Sequence, residues 1–304
     1  MKAIRVSQFG GPEVLEYVDL PDPMATGDQV LVKLEAIGVN PVDTYLRAGK
    51  YPKLPELPYT PGSDGAGTVV ATGERVYLSR SLTGTYAEYC LASPNQVHRL
   101  PDNCSFLEGA ALGVPASTAY HALFHKAGIL SGQRVLVRGA SGGVGLAAVQ
   151  LAKGHGCWVA GTASTPEGRD LVKAQGADAV SDHDKTEGPY DVILEMLANS
   201  GLQRDLNEAA ARGTIVVIGN RGEIQIDPRL TMTKDLTVKG MSLGNATPEE
   251  LQEIHAGLGR ALENRVLRPI IGKTYPLASA RESHRDVLEP GAAGKLILVT
   301  FAHA

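Results

Sequence analysis

The stretch that decides the fold is Arg134-Val-Leu-Val-Arg-Gly-Ala-Ser-Gly-Gly-Val-Gly145, an apolar run that ends in a cluster of glycines. A helical segment, 146–153, follows at once. Strand, tight turn and helix are the context in which glycines let the backbone approach a pyrophosphate, and the free amides of the helix start favour its charge. The stretch predicts a dinucleotide site, with Ala140 at the place of the first glycine of the usual G-x-G-x-x-G motif.

A second motif overlaps the first. Residues 139–143, Gly-Ala-Ser-Gly-Gly, fit the G-x-S-x-G nucleophile elbow, which would make Ser141 a hydrolytic nucleophile. Such an enzyme needs an acid and a histidine further along the chain, and Asp227 with His255 or His284 would supply them. A plain helix-start turn is a third interpretation. No glycine-rich oxyanion loop precedes the motif, so the hydrolase is the weaker functional hypothesis.

The next predicted strand, 157–163, bears on the choice of cofactor. An NAD site usually has an acid near the end of this strand for the ribose 2′-hydroxyl, but the first acid here is Glu167. The missing carboxylate favours NADPH over NADH. A solvated helix face explains the two cations of this segment as well as a phosphate site does. The candidate phosphate partners are Ser164, Thr165, Arg169 and Lys173.

Composition excludes several classes of protein. The 304 residues carry a formal net charge of −4 without a block of like charges, which argues against electrostatic binding to nucleic acid or to a membrane surface. Three isolated cysteines indicate neither a disulfide framework nor a cysteine-rich zinc site. The first residues lack the apolar core of a signal peptide, so we expect a cytoplasmic protein.

The order of predicted elements indicates an α/β protein of two domains. Residues 1–115 are rich in short alternating strands and turn signals, with prolines through 52–61. From 116 to 245 strands and helices alternate, the pattern of a doubly wound parallel sheet. Thr247-Pro-Glu-Glu250 then predicts a capping box that opens an amphipathic helix, and 295–299 predict a last strand.

Segments spread over the whole chain resemble the zeta-crystallin-like, zinc-independent quinone oxidoreductases of the medium-chain dehydrogenase/reductase superfamily. The resemblance implies a GroES-like catalytic domain, 1–115 plus 246–304, into which a Rossmann NADPH-binding domain, 116–245, is inserted. It also implies NADPH-dependent reduction of quinones or related conjugated enones, by hydride or by single electrons. The segments that carry it are Phe9–Leu15, Gly38–Gly49, Leu57–Asp64, Gly139–Ala148, Glu195–Asn199 and Gly294–Leu298.

Zinc divides this superfamily. Where the alcohol dehydrogenase branch has a cysteine and a Gly-His-Glu motif, this chain has Asn40 and Gly62-Ser-Asp64. Thiolate and imidazole ligands are missing from these positions, so we expect no metal there. A quinone or an enone delocalises the developing charge and accepts hydride without a Lewis acid. The sequence therefore favours conjugated acceptors over alcohols.

By resemblance, residues of the inserted domain hold the cofactor and residues of the first domain line the substrate cleft. A tyrosine there could donate a proton to an enolate, or merely shape the pocket. The expected catalytic set is Asn40, Tyr45 and Tyr51. The expected cofactor set is Tyr45, Ser141, Gly142, Gly143, Val144, Ser164, His183, Asn199, Ile218, Gly219, Asn220, Arg221, Met241, Ser242 and Leu243.

Other interpretations stay open. One is an alkenal or enone double-bond reductase of the same superfamily, and another is a non-catalytic, crystallin-like protein that binds NADPH or nucleic acid. The hairpin 71–77 is shorter than in relatives, which bears on the size of the acceptor. By resemblance, 237–243 form an edge strand for a homodimer or for a tetramer built from it.

Overall fold

The chain folds into two units, each with its own sheet. The computed structural model describes residues 1–291 and 293–300. Unit 1 consists of Met1–Val114 together with Pro269–Ala304, and unit 2 of Pro115–Arg268. The predicted α/β class, with one domain inserted into another, is confirmed.

The described residues form fifteen strands. In chain order they are β1 Lys2–Val6, β2 Leu15–Asp19, β3 Val30–Gly38, β4 Asp64–Val69, β5 Arg75–Ser79, β6 Tyr89–Ala92, β7 Val97–Arg99, β8 Arg134–Val137, β9 Trp158–Thr162, β10 Ala179–Ser181, β11 Tyr190–Glu195, β12 Ala209–Val217, β13 Thr237–Gly240, β14 Ile271–Pro276 and β15 Lys295–Val299.

Helices connect most of these strands, and within 1–291 and 293–300 none is long and apolar enough to cross a bilayer. A π-helix, His121–Ala127, continues α3 without a break. The α-helices are α1 Pro41–Arg47, α2 Phe106–Gly109, α3 Gly113–Tyr120, α4 Gly143–Gly154, α5 Pro166–Ala174, α6 Ala198–Glu208, α7 Arg229–Thr233, α8 Pro248–Glu263 and α9 Ala280–Asp286.

Unit 2 is built on a parallel sheet of six strands in the order β10-β9-β8-β11-β12-β13. Strand order reverses between β8 and β11, the arrangement in which ligands bind beyond the carboxyl ends of the strands. The central strands are apolar on both faces, with Leu136, Ile193 and Ile215 fully buried, because helices cover both sides of such a sheet. The predicted doubly wound sheet is therefore confirmed.

The glycine turn between β8 and α4 permits a close approach of helix and strand. A Cβ on Gly145 would lie 2.5 Å from both the carbonyl oxygen of Gly139 and the Cα of Ala140. Gly139 itself has a φ of +59°, which favours glycine. The backbone of the turn therefore requires small residues at these places, whatever binds there.

Unit 1 combines the two ends of the described chain in one mostly antiparallel sheet of seven strands. β3 is its centre and pairs with β4, β6 and β15. β15 in turn pairs with β14, in parallel. A separate pair, β1 and β2, packs its Ile4 and Leu15 into the same apolar core.

The second domain boundary differs from the predicted one at 245, since α8 lies in unit 2. Gly257 of α8 packs so closely on Tyr120 that a Cβ there would meet the ring hydroxyl at 2.5 Å. Gln150 of α4 also holds Arg268, accepting from its N–H and donating to its carbonyl. The predicted capping box is present: Thr247 and Glu250 exchange hydrogen bonds at the start of α8.

Replacing Gly145 by alanine should destabilise the protein, because the new methyl group meets backbone atoms that cannot yield. We expect the free energy of unfolding, measured by urea titration, to fall by about 1–3 kcal/mol. The matched control is Gly259→Ala in α8, where a Cβ has nothing within 4 Å. That variant should gain about 0.5–1 kcal/mol from helix propensity. Equal effects of the two changes would contradict the close approach at Gly145.

Candidate active site

The carboxyl ends of the parallel strands in unit 2 bring together the cofactor residues predicted for that unit. Each group follows a different strand, so a sequence span of about one hundred residues converges on one edge of the sheet. The groups are Ser141–Val144 after β8, Ser164 after β9, His183 after β10, Asn199 after β11, Ile218–Arg221 after β12 and Met241–Leu243 after β13.

The start of α4 is suited to bind phosphate. Its N-cap is Gly142, so no side chain caps the helix, and the first amides of a helix have no partner within it. A Cβ on Gly142 would have its nearest neighbour 3.7 Å away, and Ser141 beside it is buried. The turn thus leaves backbone donors available at the positive end of a helix dipole, as a pyrophosphate requires.

The hydrolase hypothesis for this turn is wrong. A nucleophile elbow strains the backbone at the serine, but the positive φ lies at Gly139 and not at Ser141. His284, one candidate base, is bound to Arg47 and Tyr86 in unit 1. The other candidate, His255, is a buried residue of α8.

The two cations that the sequence offered for the 2′-phosphate, both on α5, have different partners. Nη1 of Arg169 donates to the carbonyl oxygens of Ala163 and Ser164, so its guanidinium lies at the end of β9. Nζ of Lys173 instead donates to the carbonyl oxygen of Asp178. Gly168 packs against Ser141, since a Cβ there would lie 3.3 Å from the Cβ of Ser141. The geometry favours Arg169 as the phosphate partner.

Arg138 is the residue that sequence reasoning missed. It follows β8 directly, is buried, and donates from Nε to Asp205 (2.9 Å) and from Nη2 to Glu208 (2.8 Å). Its Nη1 donates to the carbonyl oxygen of His183 and to the hydroxyl of Thr186, both at 3.0 Å. An arginine directly before a glycine turn was the available signal, because a charge at the end of a buried strand must find partners.

His183 is held in place from two sides. Its Nδ1 lies 2.8 Å from the hydroxyl of Thr162, and its carbonyl oxygen also accepts from Arg204. Burial lowers the pKa of the ring, with Arg138 and Arg204 adding to the effect. The imidazole is therefore neutral at pH 7 and fixed beside the end of β9.

Two buried carboxyl groups lie beneath this edge. Burial, and then the neighbouring Glu195, raise the pKa of Asp205 to about 8, against the attraction of Arg138. At neutral pH the carboxyl group of Asp205 therefore keeps its proton. Glu195 accepts from the N–H of Leu197 and so shapes the chain after β11.

The loops after β11 and β12 are joined to each other. Asn199 accepts from the N–H of Arg221 (3.0 Å), and the N–H of Ala198 donates to the carbonyl oxygen of Gly219 (2.9 Å). The N–H of Met241 donates to the carbonyl oxygen of Val217 (3.0 Å), which places 241–243 at the same edge. The predicted cofactor residues that follow β11, β12 and β13 thus form one continuous surface.

In unit 1, a lysine lies at the centre of a buried group of polar side chains. Asn40, Asp64 and Lys295 are all buried, and Nδ2 of Asn40 donates to Asp64 Oδ2 (2.8 Å). Nζ of Lys295 donates to the same carboxylate oxygen (3.1 Å) and to Oδ1 of Asn40. Gly38 makes room, since a Cβ there would lie under 3 Å from both Asp64 and Lys295.

This arrangement changes the expected role of Asn40. Its side-chain amide is bound to Asp64 and Lys295, and only 3% of the residue is exposed. The amide therefore fixes the buried ion pair. The place of Asn40 in the expected catalytic set stays a prediction, and positioning is the role that its hydrogen bonds support.

A chain of buried hydrogen bonds continues below α1. Arg47 lies 3.1 Å from Nδ1 of His284, so Nδ1 accepts and the ring proton is on Nε2, 3.0 Å from the hydroxyl of Tyr86. Tyr86 in turn donates to Asp43 (3.3 Å), which also accepts from the N–H of Asn40 (2.9 Å). Burial lowers the pKa of His284 to about 3 and raises that of Asp43 to about 7.

The two predicted tyrosines sit at the ends of one short segment. Tyr45 is a half-buried residue of α1, and Tyr51 follows that helix with 38% of its surface exposed. The N–H of Lys50 donates to the carbonyl oxygen of Tyr45, which closes the end of the helix. Their roles toward substrate and cofactor stay predictions.

Known proteins resemble the chain over its whole length. Residues 26–102 match the family described as alcohol dehydrogenase GroES-like domain, and 143–258 match the family described as zinc-binding dehydrogenase. Quinone oxidoreductase from Homo sapiens is 45% identical, with 98% of each chain covered, and that from Pseudomonas aeruginosa is 31% identical, with 98% and 99% covered.

Solved structures agree. Quinone oxidoreductase from Thermus thermophilus, solved also in complex with NADPH, has a TM-score of 0.90 at 33% identity and covers 98% of this chain and 100% of its own. A mycobacterial protein in complex with NADPH has a TM-score of 0.89 at 31% identity, with 98% and 99% covered.

His284→Gln should change how stability depends on pH. In the wild type the unfolded chain takes up a proton near pH 6.5, whereas the buried ring, with its pKa at about 3, does not. The wild type therefore loses stability as pH falls from 6.5 toward 4. Relative to the variant, we expect about 1.4 kcal/mol lost per pH unit in urea titrations over this window. A difference between the two proteins that is flat with pH would contradict a neutral buried ring.

Proposed function

Because the chain belongs to the quinone oxidoreductases of the medium-chain dehydrogenase/reductase superfamily, we propose that it reduces quinones with NADPH. The observation that carries the proposal is the carboxyl edge of the parallel sheet, where an uncapped helix start and Arg169 of α5, bound to the loop after β9, face the same region. An enone is the second acceptor class, because it delocalises charge in the same way.

The residues at this edge fit NADPH. The amides that open α4 offer donors to the pyrophosphate. Ser164 after β9 and Arg169 of α5 lie where NAD sites have a carboxylate. When bound, NADPH supplies the reducing equivalents from its nicotinamide. The residues of the protein bind the cofactor, orient it and exclude competing reactions. By the order of strands, Met241–Leu243 and Ile218–Arg221 receive the nicotinamide half.

We further propose that the reaction uses no metal. Lys295 places its ammonium between Asn40 and Asp64, so the carboxylate of Asp64 already has a buried cation as its partner. Neither an amide nor a lysine is a zinc ligand of the usual kind. The lysine neutralises Asp64 as a cation would, but it leaves no open coordination position for a substrate oxygen.

Tyr45 and Tyr51 are the substrate-side residues of the proposal, with Asn40 acting through the orientation of α1. Asn40 begins that helix as its N-cap, and its N–H is held by Asp43. A shift of the buried network therefore moves Tyr45 with the helix. A conjugated acceptor needs binding and orientation above all, and proton donation from a tyrosine would add to it.

The proposal extends to the oligomeric state and the cellular location of the protein. β13 is an edge strand of its sheet with all four residues exposed, and we propose that it pairs with its counterpart in a homodimer. The three cysteines are buried free thiols, as in proteins of a reducing compartment, and the cytoplasm is the location we propose. A non-catalytic, nucleic-acid-binding role is weaker, given the net charge of −4.

The direct test is oxidation of NADPH and NADH followed at 340 nm, with a 1,2-quinone, a 1,4-quinone and an enone as acceptors. We expect kcat/KM with NADPH to exceed that with NADH by roughly 10–100-fold, the value of a charge-assisted phosphate contact. Turnover should survive exhaustive dialysis against EDTA. Binding of NADPH without turnover on any acceptor would contradict the proposed activity, and loss of turnover on chelation would contradict the metal-free reaction.

Arg169→Ala should raise the KM for NADPH by about 10–100-fold and leave the KM for NADH nearly unchanged, because only NADPH carries the 2′-phosphate. Lys173→Ala is the matched control: it removes the same charge one helical turn away on α5, from a side chain bound to the carbonyl of Asp178. Steady-state kinetics with both cofactors measure the effect. Equal losses in the two variants would mean that general electrostatics, and not a contact with Arg169, selects NADPH.

A further inference from the structure

A histidine pair in unit 2 lies outside every role described so far. His121 and His125 are four residues apart on the π-helix, and their Nδ1 atoms face each other at 3.0 Å. Glu250, in the first turn of α8, completes a group in which one ligand atom from each residue lies within 4.8 Å of the others. From this group we propose that unit 2 binds one divalent transition-metal ion of the zinc type, held by His121, His125 and Glu250.

The donor set has the chemistry of such a site. Two imidazole nitrogens and a carboxylate oxygen are ligands that zinc, nickel and copper(II) share, and His-x₃-His on one helix is a recurrent way to supply two of them. Two nitrogens on a tetrahedral zinc ion are about 3.3–3.4 Å apart, since each lies about 2.0–2.1 Å from the metal. The observed separation of 3.0 Å requires only a small opening of the pair.

The surroundings of the two rings are suited to binding. His121 is fully buried, so its ring is shielded from water. Nε2 of His125 lies 3.3 Å from a carboxylate oxygen of Glu253, which favours the ring proton on Nε2 and leaves the lone pair on Nδ1. A carboxylate behind a ligating histidine is the usual outer partner of a metal site.

The hydrogen bond within the pair leaves one ring nitrogen of His121 without a partner in the part of the chain that the structure describes. If His121 donates from Nδ1 to His125, its Nε2 is a bare lone pair, and Nε2 is buried without a hydrogen-bond partner among the described residues. Buried polar atoms of this kind are uncommon in folded proteins. An ion between the two Nδ1 atoms would take the place of the proton that the two rings share there.

The two carboxylate oxygens of Glu250 have different partners. Oε2 accepts from the N–H of Thr247 in the capping box, whereas Oε1 faces the π-helix, where Lys126 approaches it at 3.9 Å. One oxygen therefore holds α8 in place, and the other is directed at the site. Lys126 is the competing cation. The ion would join the π-helix to the start of α8. π-helices are rare in proteins, and those that occur are frequently found at functional sites.

The test uses the full-length protein without a histidine tag, dialysed against EDTA and then titrated with ZnCl₂ by calorimetry. We expect one equivalent to bind and the melting temperature to rise by about 3–8 °C at saturation. CoCl₂ in place of zinc should give the visible absorption of a four- or five-coordinate site. His125→Ala should abolish this equivalent, and Glu250→Gln should weaken it at least about tenfold. Glutamine preserves the capping box, so that variant should fold normally.

Matched controls identify the site. His155→Ala removes an exposed histidine of the same unit, and Glu249→Gln removes the carboxylate next to Glu250; both should bind zinc like the wild type. Zinc binding that is absent, or that persists unchanged in His125→Ala, would overturn the proposal. Equal weakening by Glu249→Gln and Glu250→Gln would also overturn it, because surface charge would then explain the binding. NADPH turnover measures the proposed reaction separately, so failure of one leaves the other standing.

Discussion

The buried guanidinium of Arg138 is the interaction on which the cofactor edge depends. Three of its nitrogen atoms donate to four partners, which belong to α6 and to the loop after β10, and the residue itself directly precedes the glycine turn. A planar, permanently charged group can hold several acceptors in one plane, as a lysine cannot. The positions of the phosphate turn and of His183 are therefore set by one side chain.

Buried charge is balanced in a comparable way in unit 1, by an ammonium group. Asp64 accepts from Asn40 and Lys295, and its other oxygen accepts from the N–H of Val114 (2.7 Å), where α3 begins. Removing a single partner from such a group leaves an uncompensated charge, which costs far more than the pair contributes. Lys295, a cation from the far end of the sequence, thus balances the charge of Asp64 within unit 1.

Much of this could be predicted from sequence, and the reasons for the rest are physical. The parallel strands, the glycine turn and the capping box of α8 are local patterns, and each is present. The boundary near 245 differed because the packing of Gly257 on Tyr120 is a contact between distant segments. The structural role of Arg138 depends on hydrogen-bond partners more than forty residues away. The side chain of Asn40 is bound to a lysine more than two hundred residues away. No spacing in the sequence reveals either contact.

The order of synthesis gives the buried ion pair a further consequence. Asp64 leaves the ribosome long before Lys295, and the whole of unit 2 is made between them. Until β15 adds to the edge of β3, the carboxylate has no ammonium partner and the sheet of unit 1 lacks two strands. A nascent chain can therefore complete the parallel sheet of unit 2 first. Until Lys295 is made, unit 1 stays incomplete and the carboxylate of Asp64 must stay hydrated.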